Sequence, residues 1–142
     1  MYENQKMESV DPISLMEGLI AAIESDFSKR GIRIFTSFDS RATKCSADPR
    51  TLHQVFLSLL SNAADAVEGK SDANIFIGVS RVGETIQIKV VDNGAGMDER
   101  QQKDFFRPGI QKLMASTSGG ISIESALEMG TEVSLLLEAR ND

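Results

Sequence analysis

Cysteine and histidine each occur once in these 142 residues, and tryptophan is absent. A lone Cys45 excludes a disulfide framework and a thiolate metal cluster, leaving a small buried or half-buried side chain. Basic residues are in deficit: 15 Lys and Arg against 21 Asp and Glu give a net charge of −6. That balance argues against a nucleic-acid or anionic-membrane surface as the chain's main business. No apolar run approaches membrane-spanning length, and the N-terminus lacks the apolar core of a signal peptide. The default expectation is a cytoplasmic location with no direct membrane contact by this region. Repeats and low-complexity tracts are also missing.

What is present is a single domain's worth of periodic sequence. Residues 1–8, "MYENQKME", are polar and uncommitted, and fit the frayed end of a preceding helical domain; residues 9–142 form the domain proper. "VDPISL" and "ADPRTL" share one helix-starting device, an Asp cap followed by Pro at the first helical position. The first predicts a helix over Pro12–Lys29 that buries Met16, Leu19, Ile20, Ile23 and Phe27 and stops at Gly31. The second predicts Pro49–Glu68, with Leu52, Val55, Phe56, Leu59, Leu60, Ala63 and Val67 on one stripe.

Period-two alternation marks the strands. Ile32, Ile34, Thr36 and Phe38 share a face. "NIFIGVSRVGETIQIKVV" predicts a hairpin with Ile75, Ile77 and Val79 facing Ile86, Ile88 and Val90 around Gly83. A closing hairpin sets Ile121 and Ile123 against Val133, Leu135 and Leu137. "DERQQKDFF" and "QKLMAS" predict short helices between the hairpins. The expected fold class is α+β, a two-layer α/β sandwich with a mixed sheet and helices packed on one face.

Two polar features stand out. Asn62 lies about 20° from Val55 at helical spacing, so an amide is aimed along the apolar face. It is either a buried amide satisfying a backbone group or a polar atom at a pocket floor, with an oxygen suited to a hard cation such as Mg²⁺. In "VVDNGAGM" a strand runs into Asp92 and then thins at Gly94 and Gly96. Alone this fits a common Asp-Asn-Gly turn. Beside an inward amide, it fits a site where something approaches backbone and carboxylate together. An ionised carboxylate only accepts, which suits an exocyclic amino group such as that of adenine.

Competing phosphate motifs fail. A dinucleotide fingerprint needs glycine where Glu99 stands, and a P-loop ending in "EGKS" needs one where Ala64 stands. His53 falls about 180° around the helix from Asn62, on the solvent side. The acidic overall field means that a bound triphosphate would need local dipoles, donors or a metal.

"LHQVFLSLLSNAADAV", "VVDNGAGM" and "DFFRPG" resemble the asparagine, first glycine and phenylalanine boxes of Bergerat-fold (GHKL) nucleotide-binding domains. The chain is most similar to the catalytic, ATP-binding domain of bacterial two-component sensor histidine kinases. "GGISIESALEMGTEVSLLLE" resembles that family's closing hairpin, and nearly the whole chain is covered. The resemblance implies ATP and Mg²⁺ as ligands, with Asn62 holding the metal and Asp92 accepting from the adenine amino group. It implies that Gly94 and Gly96 let backbone pass close to the base, that Met97 lines the adenine slot, and that Thr131 supports it. It implies as partners a phosphoacceptor-histidine dimerisation domain of the same protein and a response regulator receiver domain, in a homodimeric parent.

Two features depart from the family. Ser58 stands where hydrolytic members carry a general-base glutamate, and a serine without a paired base does not easily activate water. The family's ATP lid and second glycine box should follow "DFFRPG"; here Gly109 runs directly into "IQKLMASTSGG", so the lid is missing near residues 109–111. Either the protein lacks it, or the sequence as written joins the flanks of an omitted lid. The quality of both flanks favours omission, and an intact mass separates the two. The alternative function is a degenerate docking module, a histidine phosphotransferase or pseudokinase, without ATP binding.

Overall fold

A computed structural model describes residues 7–105 and 120–141. The expected lid departure and the "QKLMAS" helix lie outside the described residues.

The two capped helices form as their sequences dictate. Asp11 Oδ1 accepts from the Ile13 and Ser14 amides, each at 3.0 Å, and opens α1, Pro12–Lys29. Asp48 Oδ2 accepts from the Thr51 amide at 3.1 Å and its hydroxyl at 2.7 Å, and opens α2, Pro49–Ala66. In both, a carboxylate satisfies amides that the first turn leaves without partners. Helix α2 ends two residues earlier than the stripe alone predicts, with Val67 as its cap.

Strands β2 (Arg33–Phe38), β4 (Asn74–Val82), β5 (Thr85–Asp92), β7 (Thr131–Glu138) and β6 (Ile121–Ser125) lie side by side in that order. The β2–β4 pair is parallel and the others antiparallel, so the sheet is mixed as expected. Alternate residues of β4, β5 and β7 (Ile75, Ile77, Val79; Ile86, Ile88, Val90; Val133, Leu135, Leu137) are buried on one face. Met16, Leu19 and Phe27 of α1 and the predicted stripe of α2 complete the core there. Each fully buried side chain of this size contributes about 1.5–3 kcal/mol relative to exposure, so the helix–sheet interface dominates the fold's stability. Ile20 and Ile23, at the rim of the α1 stripe, are only partly buried.

Two short strands escape the periodicity. β1 (Glu8–Val10) pairs antiparallel with β3 (Cys45–Ala47), whose three residues are all buried. Glu8, grouped with the tail in the sequence, therefore belongs to a strand opposite Ala47. Cys45 is fully buried, and burial pushes its thiol up to about 12. β2 is an edge strand, which leaves Thr36 exposed and Ile34 and Phe38 only partly covered. The last described helix, α3 (Glu99–Phe105), follows β5. Asp98 and Gln101 exchange reciprocal side-chain-to-amide bonds of 2.8 and 2.9 Å at its start, a capping box with Asp in the leading role.

Candidate functional site

Beyond the closed part of the interface, the second half of α2 and the end of β5 diverge around a cavity of about 1000 Å³. Its volume lies at the upper end of the range for small-molecule sites. Leu59, Ala63, Val90 and Val133 give it an apolar floor, while Asp65, Glu68, Asp92 and Asp104 make its walls acidic.

The turn after β5 is built from side-chain bonds to backbone and from backbone lying against backbone. Asp92 Oδ1 accepts from the Gly94 amide at 2.8 Å, closing an Asx turn. Asn93 ties this turn to the sheet: its Oδ1 accepts from the Asn74 amide at 2.8 Å, and its Nδ2 donates to the Asp72 carbonyl at 2.7 Å. The Ala95 amide then donates to the Ala66 carbonyl at 3.2 Å, satisfying an acceptor that the end of α2 leaves open. That bond requires glycine at 94, because a Cβ there would overlap the Ala66 carbonyl. Gly96 has φ +74°, and a Cβ on it would overlap the Ala126 carbonyl of the β6–β7 turn. The two thin points in "VVDNGAGM" thus let three backbone segments converge: the end of α2, the β5–α3 connection and the β6–β7 turn. Gly96 lies on the cavity wall, whereas Gly94 stands behind it.

Asp92 is 7% exposed. Burial raises its carboxyl above the usual range, and the backbone N–H groups of Gly94 and Thr131 pull it back. No cationic side chain among the described residues contributes to its titration. Thr131, its direct partner across β5 and β7, is buried at the cavity wall, and its Oγ1 lies 2.7 Å from Ser125 Oγ. Met97 lines the cavity, half-buried, with its amide donating to Ser125 Oγ at 2.7 Å. Gln102 Nε2 donates to the carbonyls of Met97 and Ser125 at 2.9 and 3.0 Å, bracing α3 against β6.

Asn62 decides between the two readings that its spacing leaves open. The periodicity sets it on the side of Leu59 and Ala66, but its side chain is exposed and faces the cavity. Helical spacing gives a side chain's direction and not what lies opposite it; at this turn a cavity does. The buried-amide alternative is thereby removed. Ser58, one turn earlier, is half-buried on the same wall. His53 is exposed, as expected.

Among the described residues, no cluster of three or more His, Cys, Asp or Glu side chains forms a metal cage. The donor set that is present, one exposed amide oxygen beside an acidic cavity, fits a cation that keeps most of its other ligands from water and phosphate, as Mg²⁺ does. Ser125, Gln102 and Asn93 were missed in the sequence because each acts through partners far along the chain or through backbone.

A helix-backed mixed sheet, with a buried carboxyl and an exposed amide on the wall of a large cavity, defines a domain built around a small-molecule site, and comparison with known proteins gives its family. Residues 47–141 match the family model described as histidine kinase-, DNA gyrase B-, and HSP90-like ATPase, and the chain belongs to that family. Curated relatives include the adaptive-response sensory kinase SasA of Prochlorococcus marinus strain MIT 9313, 32% identical over 123 residues, 80% of this chain and 33% of that protein. The sensor protein TorS of Escherichia coli K12 is 30% identical over 132 residues, 89% of this chain and 14% of that protein. The chain therefore spans a third or less of these relatives. In fold it is similar to the catalytic domain of histidine kinase ThkA, with TM-score 0.82 at 18% identity, covering 94% of this chain and 96% of that one. Full-length ShkA in complex with AMPPNP gives TM-score 0.81 at 19% identity over 97% of this chain and 32% of that one. Among the described residues, no helix is long and apolar enough to cross a membrane.

Proposed function

We propose that this chain is the ATP-binding catalytic domain of a sensor histidine kinase, holding Mg-ATP for phosphorylation of a histidine on a separate dimerisation domain. The observation that carries this is Asp92, a buried carboxyl at the cavity wall whose polar partners among the described residues are backbone amides. A carboxylate kept dry and without a cation is an acceptor waiting for a donor. The adenine amino group supplies one, with Met97, Gly96 and Thr131 enclosing the base and Gly94 fixing the turn behind it.

The phosphates extend toward the second half of α2. Asp65 and Glu68 make that wall unfavourable for a polyanion, so a cation is required, and Asn62 is the residue placed to hold it. When bound, Mg²⁺ would neutralise charge on the phosphates; the protein's own part is orientation and exclusion of water, as in other phosphoryl transfers. Ser58, at the position where hydrolytic members of the family carry a glutamate, does not itself supply a general base for hydrolysis. The parent protein is then a homodimer acting in the cytoplasm, with the phosphoacceptor domain in the same chain and a response regulator receiver domain downstream. The structure of ThkA in complex with the response regulator TrrA supports that assignment of partners by likeness of fold.

The test is titration with a fluorescent adenine nucleotide, with and without Mg²⁺, beside Asp92→Asn. Saturable binding is expected, strengthened by Mg²⁺ and at least about 100-fold weaker in the variant, since an amide presents a donor where the base needs a charged acceptor. A folded wild-type domain that binds no nucleotide would remove this reading and leave the docking module.

A further inference from the structure

We propose that Ser125 is a specificity-determining positioning residue: it fixes the direction of the Thr131 hydroxyl, so that the cavity shows a purine only acceptors at its six-position. This deepens the nucleotide reading above and rests on it.

Three polar atoms surround Ser125 Oγ: the Met97 amide at 2.7 Å, the Gly130 carbonyl at 3.1 Å and Thr131 Oγ1 at 2.7 Å. A serine hydroxyl has one proton and two lone pairs. The Met97 amide can only donate and the Gly130 carbonyl can only accept. If all three bonds form, Ser125 gives its proton to Gly130 and accepts from both Met97 and Thr131. The opposite direction, from Ser125 to Thr131, forfeits the bond to Gly130.

The consequence falls on Thr131. With its one proton committed to Ser125, Oγ1 offers lone pairs alone. Asp92, paired with Thr131 across β5 and β7, is also acceptor-only when ionised. Both residues line the cavity. An amino group finds acceptors in these two side chains, whereas an oxo group finds no donor in either and faces the carboxylate. Gln102 braces the arrangement from outside, through the Met97 and Ser125 carbonyls and not through either hydroxyl.

The experiment compares calorimetric affinities for ATP and inosine triphosphate, which carries an oxo group in place of the amino group. Wild-type protein should prefer ATP. Ser125→Ala frees the Thr131 proton to turn toward the base, and the preference should fall about tenfold, the worth of one hydrogen bond. Ser125→Thr restores the hydroxyl and should restore the preference, while Gln102→Ala should weaken both nucleotides alike. A folded Ser125→Ala protein with the wild-type ratio, or Ser125→Thr without the preference, overturns the proposal while leaving nucleotide binding intact. Wild-type protein that binds neither nucleotide removes the reading beneath it, and this inference with it.

Discussion

Asp39 and Asp92 stand at opposite ends of β4, and their surroundings drive them in opposite directions. Asp39 follows β2, where its amide donates to the Val79 carbonyl at 2.8 Å. Its carboxylate grips the Arg41 guanidinium through Nε at 3.0 Å and Nη2 at 2.8 Å, and accepts from the amides of Arg41 and Arg81. Those bonds hold it well below the usual carboxylate range. Asp92 ends β5 opposite Ile75, buried, with backbone amides alone, and is raised. One carboxylate is satisfied by the loop it organises. The other retains capacity that no described side chain uses, on the wall of the cavity. A site is told from a structural turn by this residual demand, not by the presence of an acid.

The largest way to break the contrast is at Gly94. The Asp39 turn is tied by a side-chain charge, and the Asp92 turn by backbone lying against backbone. Gly94→Ala inserts a methyl group into the Ala66 carbonyl and separates the Ala95–Ala66 bond. Overpacking of this kind costs about 3 kcal/mol, to be read as a shift in the urea midpoint, with nucleotide affinity falling alongside. A variant as stable as the wild type would mean that the end of α2 yields freely, and that the turn is not fixed by this contact.

Much of the fold behind this contrast was legible beforehand, because burial follows period. The α2 stripe from Leu52 to Val67 and the inner faces of β4, β5 and β7 are where spacing puts them, while Ile121 and Ile123 on the edge strand β6 are only partly buried. The β1–β3 pair was not legible, since three residues carry no period. Asn62 was legible as a direction, but its spacing left a buried amide and a pocket residue as alternatives, because a sequence does not say what lies opposite a helix face. Asp92 was recognisable as an acid before two glycines, yet its lack of a cation depends on what every other strand brings near. The bonds from Met97 to Ser125 and from Gln102 to the Ser125 carbonyl, between partners 28 and 23 residues apart, leave no local trace.

A smaller effect tests the charge states directly. Asp92 has a folded pKa above its unfolded value of about 3.9, so the native state takes up the proton first as the pH falls. Wild-type protein should therefore gain stability relative to Asp92→Asn from the raised pKa down to about pH 4, with a constant difference above that window. The slope for one group is at most about 1.4 kcal/mol per pH unit. Urea midpoints of both proteins between pH 7.5 and 4 measure it. Curves that stay parallel throughout would show that Asp92 is an ordinary carboxylate, and the contrast with Asp39 would lose one side.

Asp39 should give the smallest effect and the opposite sign. Its folded pKa is depressed, so its stabilisation is fully present above the unfolded value of about 3.9 and is lost as the pH falls through and below it. Wild-type protein should melt slightly higher than Asp39→Asn at pH 7, and the gap should close toward pH 3. Solvent screens an exposed Asp–Arg pair, so the gap at pH 7 should also shrink on adding salt. Thermal melts at those two pH values, in low and high salt, decide it. A gap that widened in acid would place Asp39 with Asp92 and end the distinction between a satisfied carboxylate and a waiting one.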